Sequence, residues 1–159
     1  MRRIITVLAL TLIFFLAEYL LVTVFGKIFI PNLILLLIIF LDLSMGIRYA
    51  LLAAFLGGGI RDAYSTQFFG FHILTLMLTA YVTTILTRII YQKGSWWSLL
   101  LLIFCINSIL LLCQGALSLN LNSFPGFIRN IYLPEILMTL LFAGFVFNYL
   151  RKCVLRLYE

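Results

Sequence analysis

The stretch 31-PNLILLLIIFLDLSMGIRYALLAAFLGGGIRDAYSTQFFG-70 decides the fold. Two apolar runs, Pro31 to Leu41 and Tyr49 to Ile60, flank a polar break at Asp42 to Arg48. Bilayer hydrocarbon is about 30 Å thick and a helix rises about 1.5 Å per residue, so a span needs about 20 apolar residues. Each run supplies little more than half of that length. The second closes on three consecutive glycines, Gly57 to Gly59, and Arg61 and Asp62 follow at once. Charges and interrupted helices at membrane depth are tolerated only inside protein or beside water. The stretch is therefore expected to be wrapped by the rest of the chain rather than bathed in lipid.

The composition sets the same frame. Of 159 residues, 65% are hydrophobic and only 10% charged, which excludes a soluble domain and a disordered chain and indicates a single polytopic membrane domain. The net charge of +6 comes from basic residues at span ends, as the positive-inside rule requires, and not from a nucleic-acid-binding face. Cys105, Cys113 and Cys153 have neither metal-ligand spacing nor the pairing of a disulfide framework. The N-terminal Met1-Arg2-Arg3 and its apolar run resemble a signal peptide. The run continues to about Phe25 without a small-residue cleavage pattern, so it is read as a first, uncleaved span.

Working outward from the central pair, spans are expected at 4–25, 31–44, 49–60, 71–90, 98–117 and 131–150, with spans two and three short. Pro31 suits the first turn of span two, where its missing N–H costs nothing. Asp42 closes that span's inner end. Ala50, Ala54 and Gly58 form one small-residue stripe on span three, with Ala53 and Gly57 beside it, which lets backbones approach closely. Arg61 to Gly70 is expected to be an outer loop. On span four, His72, Thr75, Thr79, Thr83 and Thr87 share a face, either to bond neighbouring helices or to bond their own preceding carbonyls. Trp96 and Trp97 suit an interfacial belt, and Asn107 and Gln114 share a face of span five. With the N-terminus inside, Arg2, Arg3, Arg48, Arg88, Lys93, Arg151, Lys152 and Arg156 lie on the cytoplasmic side, and only Lys27, Arg61 and Arg129 outside. Merging the two short runs into one span reverses the downstream orientation. A re-entrant hairpin preserves it, but two short spans are the preferred reading.

Catalytic patterns are missing from the sequence: no H-E-x-x-H, G-x-S-x-G or Walker A, and His72 is a lone histidine. No enzymatic activity, cofactor or metal is expected. The acids do form a pattern. Glu18, roughly 10 Å below the outer end of span one, Asp62 and Glu135 all fall in or near the outer half, as do Arg61 and Arg129. An internal ion-pair cluster is favoured over a ligand or proton site. Arg61 and Asp62, being adjacent, must each find a partner elsewhere. For Asp62 the expected partner is Arg129.

Pro31 with Asn32 and Leu33, the short apolar pair, Gly57 and Gly58 with Gly59, Asp62, then Gly70 with Leu74, and Arg129 and Pro134 opening the last span resemble the rod-shape-determining MreD family. The resemblance covers the whole chain. It implies a non-enzymatic inner-membrane subunit of the bacterial elongation machinery that partners MreC. In the wider complex stand MreB, RodA and a class B penicillin-binding protein, and together they support lateral peptidoglycan synthesis and cell shape. It implies an all-α, six-transmembrane-helix bundle, similar in fold to the substrate-binding subunits of ECF vitamin transporters. That likeness supplies the alternative function, small-molecule uptake. The apolar, asparagine-dotted loop Leu119 to Phe127 offers little of the polar, aromatic pocket that uptake needs.

Overall fold

The computed structural model describes residues 2–25, 31–64, 70–90, 96–118 and 133–158. Among these residues the chain is all helical and without strands: α1 (Arg2–Phe25), α2 (Leu33–Met45), α3 (Ile47–Tyr64), α4 (Phe71–Ile90), α5 (Trp96–Ser118) and α6 (Leu133–Tyr158). Within α1 and α4, Arg3–Val24 and Phe71–Ile89 are long and apolar enough to cross a membrane; the apolar stretches Leu33–Met45, Trp97–Leu111 and Leu133–Asn148 are shorter.

α2 is the axis of the fold. Leu33 through Leu41 are buried around the whole circumference of the helix. A helix apolar all round must be enclosed by protein or lipid, and here protein encloses it. The neighbours form an open ring. α1 packs on α3, α3 on α4, α4 on α5 and α5 on α6, and each of the five also touches α2. The ring is open between α6 and α1, which stand on either side of a groove. Outside the ring the surface is apolar: Ile5, Leu12, Leu16 and Leu20 of α1, Leu74 and Leu78 of α4, and Leu141 and Phe145 of α6 are exposed. Contiguous apolar faces of this extent are untenable in water and suit a bilayer.

The central hairpin departs from the expected boundaries in three ways. Pro31 precedes α2 rather than opening its first turn, because Asn32 is the cap: its side-chain oxygen accepts the Leu35 N–H at 3.2 Å. A single residue, Gly46, joins α2 to α3 at φ +94°, a conformation that favours glycine, and its N–H returns to the Leu41 and Asp42 carbonyls. Most consequentially, α3 does not stop at Ile60. It runs through Arg61 and Asp62 to Tyr64, 18 residues in all, so that both charges lie on a helix rather than in an outer loop.

Three glycines weaken an isolated helix by roughly 1 kcal/mol each. What offsets that cost is contact. Ala50, Ala53, Ala54, Gly57 and Gly58 are all buried. A Cβ at Gly58 would lie 2.6 Å from the Cα of Ile73 and 2.8 Å from its N, so the backbones of α3 and α4 meet there directly. A Cβ at Gly57 would meet the Ile34 side chain at 2.8 Å. Gly59 faces only the tip of Ile73, at 3.9 Å. Elsewhere α6 continues beyond residue 150 through the basic tail, and the apolar seam of α2 with α6 includes an edge-on pair of Phe40 and Phe147.

These distances predict a graded response to alanine. Gly58→Ala should push two backbones apart and cost about 1–3 kcal/mol, with Gly58→Leu costing more. Gly59→Ala should be neutral or stabilising by up to about 1 kcal/mol, because it adds helix propensity without a clash. Thermal unfolding of the purified variants in one detergent checks the order; equal melting temperatures for the two alanine variants would contradict it.

Candidate functional site: a polar cluster at one end of the bundle

Two polar constellations hold the end of the bundle where α3 finishes, and adjacent residues of α3 build them. Arg61 and Asp62 diverge because consecutive side chains on a helix point about 100° apart. Arg61 reaches towards α1 and α2. Its Nη2 forms a salt bridge with Glu18 Oε1 and donates to Asn32 Oδ1 at 3.0 Å. Asn32 thereby serves twice, as the cap of α2 and as an acceptor for Arg61. Its backbone N–H donates to Thr139 Oγ1 of α6 at 3.1 Å, and that hydroxyl donates to the Glu135 carbonyl at 2.7 Å. The half-buried Glu135 carboxyl interacts with the Asn32 side chain and lies within the electrostatic reach of Arg61 and Glu18. Arg61 of α3 thus holds α1 and the start of α2 directly, and α6 joins through Asn32. Glu18 Oε2 is buried with no partner among the described residues.

Asp62 turns the other way, into α4. Its side chain is fully buried. Oδ1 accepts the His72 N–H at 2.9 Å, and Oδ2 accepts the N–H groups of Gly70 at 3.0 Å and Ile73 at 3.2 Å. The His72 ring completes the set, with Nδ1 2.8 Å from Oδ1. A carboxylate supplied by α3 therefore caps the N-terminus of α4, where free N–H groups and the helix dipole favour negative charge. Gly70 enters the cap at φ +96°. The partnership expected between Asp62 and Arg129 falls on a residue outside those described.

Asp42 belongs to neither constellation. At the opposite end of α2 its Oδ1 accepts the Thr84 hydroxyl at 2.9 Å. Among the threonines of α4, Thr75, Thr79 and Thr83 donate to carbonyls four residues back, and Thr87 to one three back, so the stripe satisfies its own helix. The cross-helix bond comes from Thr84, which that stripe does not contain. Pro134 occupies the first turn of α6, one residue before Glu135, where a proline disrupts no helical hydrogen bond. Asn107 is buried on α5, and neither of its amide atoms finds a partner among the described residues.

Asn32, Thr139, Thr84 and His72 are the participants that spacing does not reveal. Asn32 had a usable signal, an Asn after proline and before a long apolar run, which is a helix cap. Thr139 and Thr84 carry no signal, since their roles depend on which faces meet.

Among the described residues the fold is that of an all-helical membrane protein in which Glu18, Asp42, Arg61 and Asp62 tie its own helices together. The family description that matches the chain is rod shape-determining protein MreD, over residues 1–153. The chain belongs to that family. No curated protein and no solved structure matches it, so the likeness to ECF transporter subunits finds no support.

The geometry separates the two constellations energetically. Asp62→Ala should orphan three backbone N–H groups and cost about 2–4 kcal/mol. Arg61→Ala should cost about 1–3 kcal/mol by leaving Glu18 partly buried and unpaired, and adding Glu18→Gln should recover part of that loss. Denaturant or thermal unfolding of the single and double variants measures both, and strictly additive losses for Glu18 and Arg61 would refute the pairing.

Proposed function

We propose that this chain is a non-enzymatic scaffold of the bacterial elongation machinery. It lies in the cytoplasmic membrane, binds MreC directly, and supports lateral peptidoglycan synthesis and cell shape in company with MreB, RodA and a class B penicillin-binding protein. The observation that carries this reading is the family match over residues 1–153. The polar chemistry is consistent with it. The acidic and basic side chains at the end of α3 are engaged with α1, α2 and α4, an arrangement suited to rigidity. A rigid bundle with an apolar exterior recognises partners in the bilayer through shape and small-residue contact.

The topology proposed is six crossings with both termini cytoplasmic, supported by the bias of basic residues to that side. It places the Arg61 and Asp62 constellations at the outer surface. A reporter active only outside the cytoplasm, fused after Glu159, should be silent, and strong activity would overturn the orientation. Purification from native membranes should recover MreC with the chain. Recovery of ATPase subunits without MreC would reject the scaffold.

A further inference from the structure

α4 is long enough to cross hydrocarbon unaided: its apolar stretch, Phe71–Ile89, rises about 28 Å. Tyr81 stands at its middle, ten residues from one end and eight from the other. The side chain is 59% exposed, on a face shared with Leu74, Leu78 and Ile85. Its hydroxyl has no hydrogen-bond partner among the described residues. Tyrosine in a membrane belongs at the interface, with its ring in hydrocarbon and its hydroxyl in water. Tyr19 and Tyr64, also exposed, lie in the last two turns of α1 and at the end of α3, and fit that rule. Tyr81 does not. Its Cα is about 12 Å from the nearer end of the stretch, farther than a phenol side chain reaches. The oxygens of a phospholipid lie at the two faces of the bilayer, so lipid tails around Tyr81 offer its hydroxyl nothing. A hydroxyl left unpaired in hydrocarbon is costly.

We propose that two copies of the chain pair through α4, about a two-fold axis along the membrane normal, with the two Tyr81 hydroxyls bonded to each other. Depth selects the partner. Copies inserted in one bilayer share one orientation, so across such an axis each residue of α4 meets its counterpart at its own depth. A second Tyr81 is therefore at mid-membrane by construction; a different helix needs a hydrogen-bonding group placed at that depth independently. Hydrogen-bond chemistry agrees. A phenol both donates and accepts, so two of them across an axis complement each other, as two like charges would not. The face is self-complementary in shape as well. Leu74, Leu78, Tyr81 and Ile85 follow at intervals of four, three and four, the spacing by which two near-parallel helices interdigitate. Arg88 is exposed at the inner end of α4, seven residues beyond Tyr81 and about 10 Å along the axis. Its long side chain reaches the headgroups, so the like charges of the two copies are kept apart and solvated. The pairing is independent of which other proteins the chain assembles with.

The test uses the full chain in native membranes, with Cys105→Ala, Cys113→Ala and Cys153→Ala to remove its own thiols. Leu78→Cys or Ile85→Cys on α4 is then added, and Leu12→Cys on α1 or Leu141→Cys on α6 for comparison; all four positions are exposed. Under mild oxidation the α4 variants should form a disulfide-linked dimer, identified by its mass, and the α1 and α6 variants should not. Dimerisation of the otherwise unaltered chain is measured in liposomes by energy transfer between labelled copies, over a range of protein-to-lipid ratios. Tyr81→Phe removes one oxygen that bonds nothing among the described residues of a single copy. It should leave thermal unfolding of the detergent-isolated monomer unchanged and weaken dimerisation by about three- to tenfold. Unchanged dimerisation of Tyr81→Phe, dimers linked through α1 or α6 and not through α4, or a chain monomeric at every ratio would overturn the proposal. So would linkage of the Leu78→Cys variant to a different protein in place of a second copy.

Discussion

Polar groups buried between packed helices must be satisfied within the protein, and in this chain one dipeptide meets much of that demand. Arg61 and Asp62 sit side by side on α3, so the helix sends them to different neighbours. Arg61 gathers α1, α2 and, through Asn32, α6; Asp62 caps α4. The last turn of α3 is thus the junction at which five helices are fixed relative to one another. It forms only because α3 persists through three glycines, and it persists because α4 lies against Gly58 at backbone distance. The close approach and the polar junction depend on each other. A side chain at Gly58 that displaced α4 would also carry the N–H groups of His72 and Ile73 away from Asp62.

That dependence explains why the shortest helix is the central one. α2 spans 13 residues, or about 20 Å at helical rise, too little to cross hydrocarbon alone. Enclosed by the other helices, it need not match the bilayer; it only has to fill the ring. Its ends do need partners, because a helix terminus leaves N–H and C=O groups unsatisfied. Asn32 supplies the first end and ties it to Arg61 and Thr139. Gly46 and Asp42 serve the other, the latter through Thr84. The central helix is therefore short, apolar along its middle, and polar at both ends.

How much of this could be read in the sequence follows from the range of each interaction. The all-helical class, the buried central hairpin and the small-residue face of α3 are local patterns, and each is visible in composition and spacing. The end of α3 was not legible at Ile60. Three glycines and two charges in a row look like a breaker, and only the backbone of α4, distant in sequence, makes helix the better conformation there. The acids could be grouped by depth, but not paired, since depth does not fix the direction of a side chain. Glu18 with Arg61 and Asp62 with the start of α4 depend on the rotation of α3 about its axis. Asn32 could be recognised as a cap from its neighbours; its second bond, to Arg61, could not.

The distribution of polarity also bears on how a protein of this family can act. The charged and amide side chains of the junction are engaged, while the faces turned outward on α1, α4 and α6 are leucine, isoleucine, tyrosine and phenylalanine. In a bilayer such faces gain nothing from burial as such, because lipid tails are equally apolar; association there rests on shape, small residues and the occasional polar bond. A bundle that kept free charges at its rim would be drawn to any complementary group. One that has turned them inward presents a contour, held rigid by its own ion pairs, and selects its neighbours by fit. The opening between α1 and α6 is where that contour is incomplete.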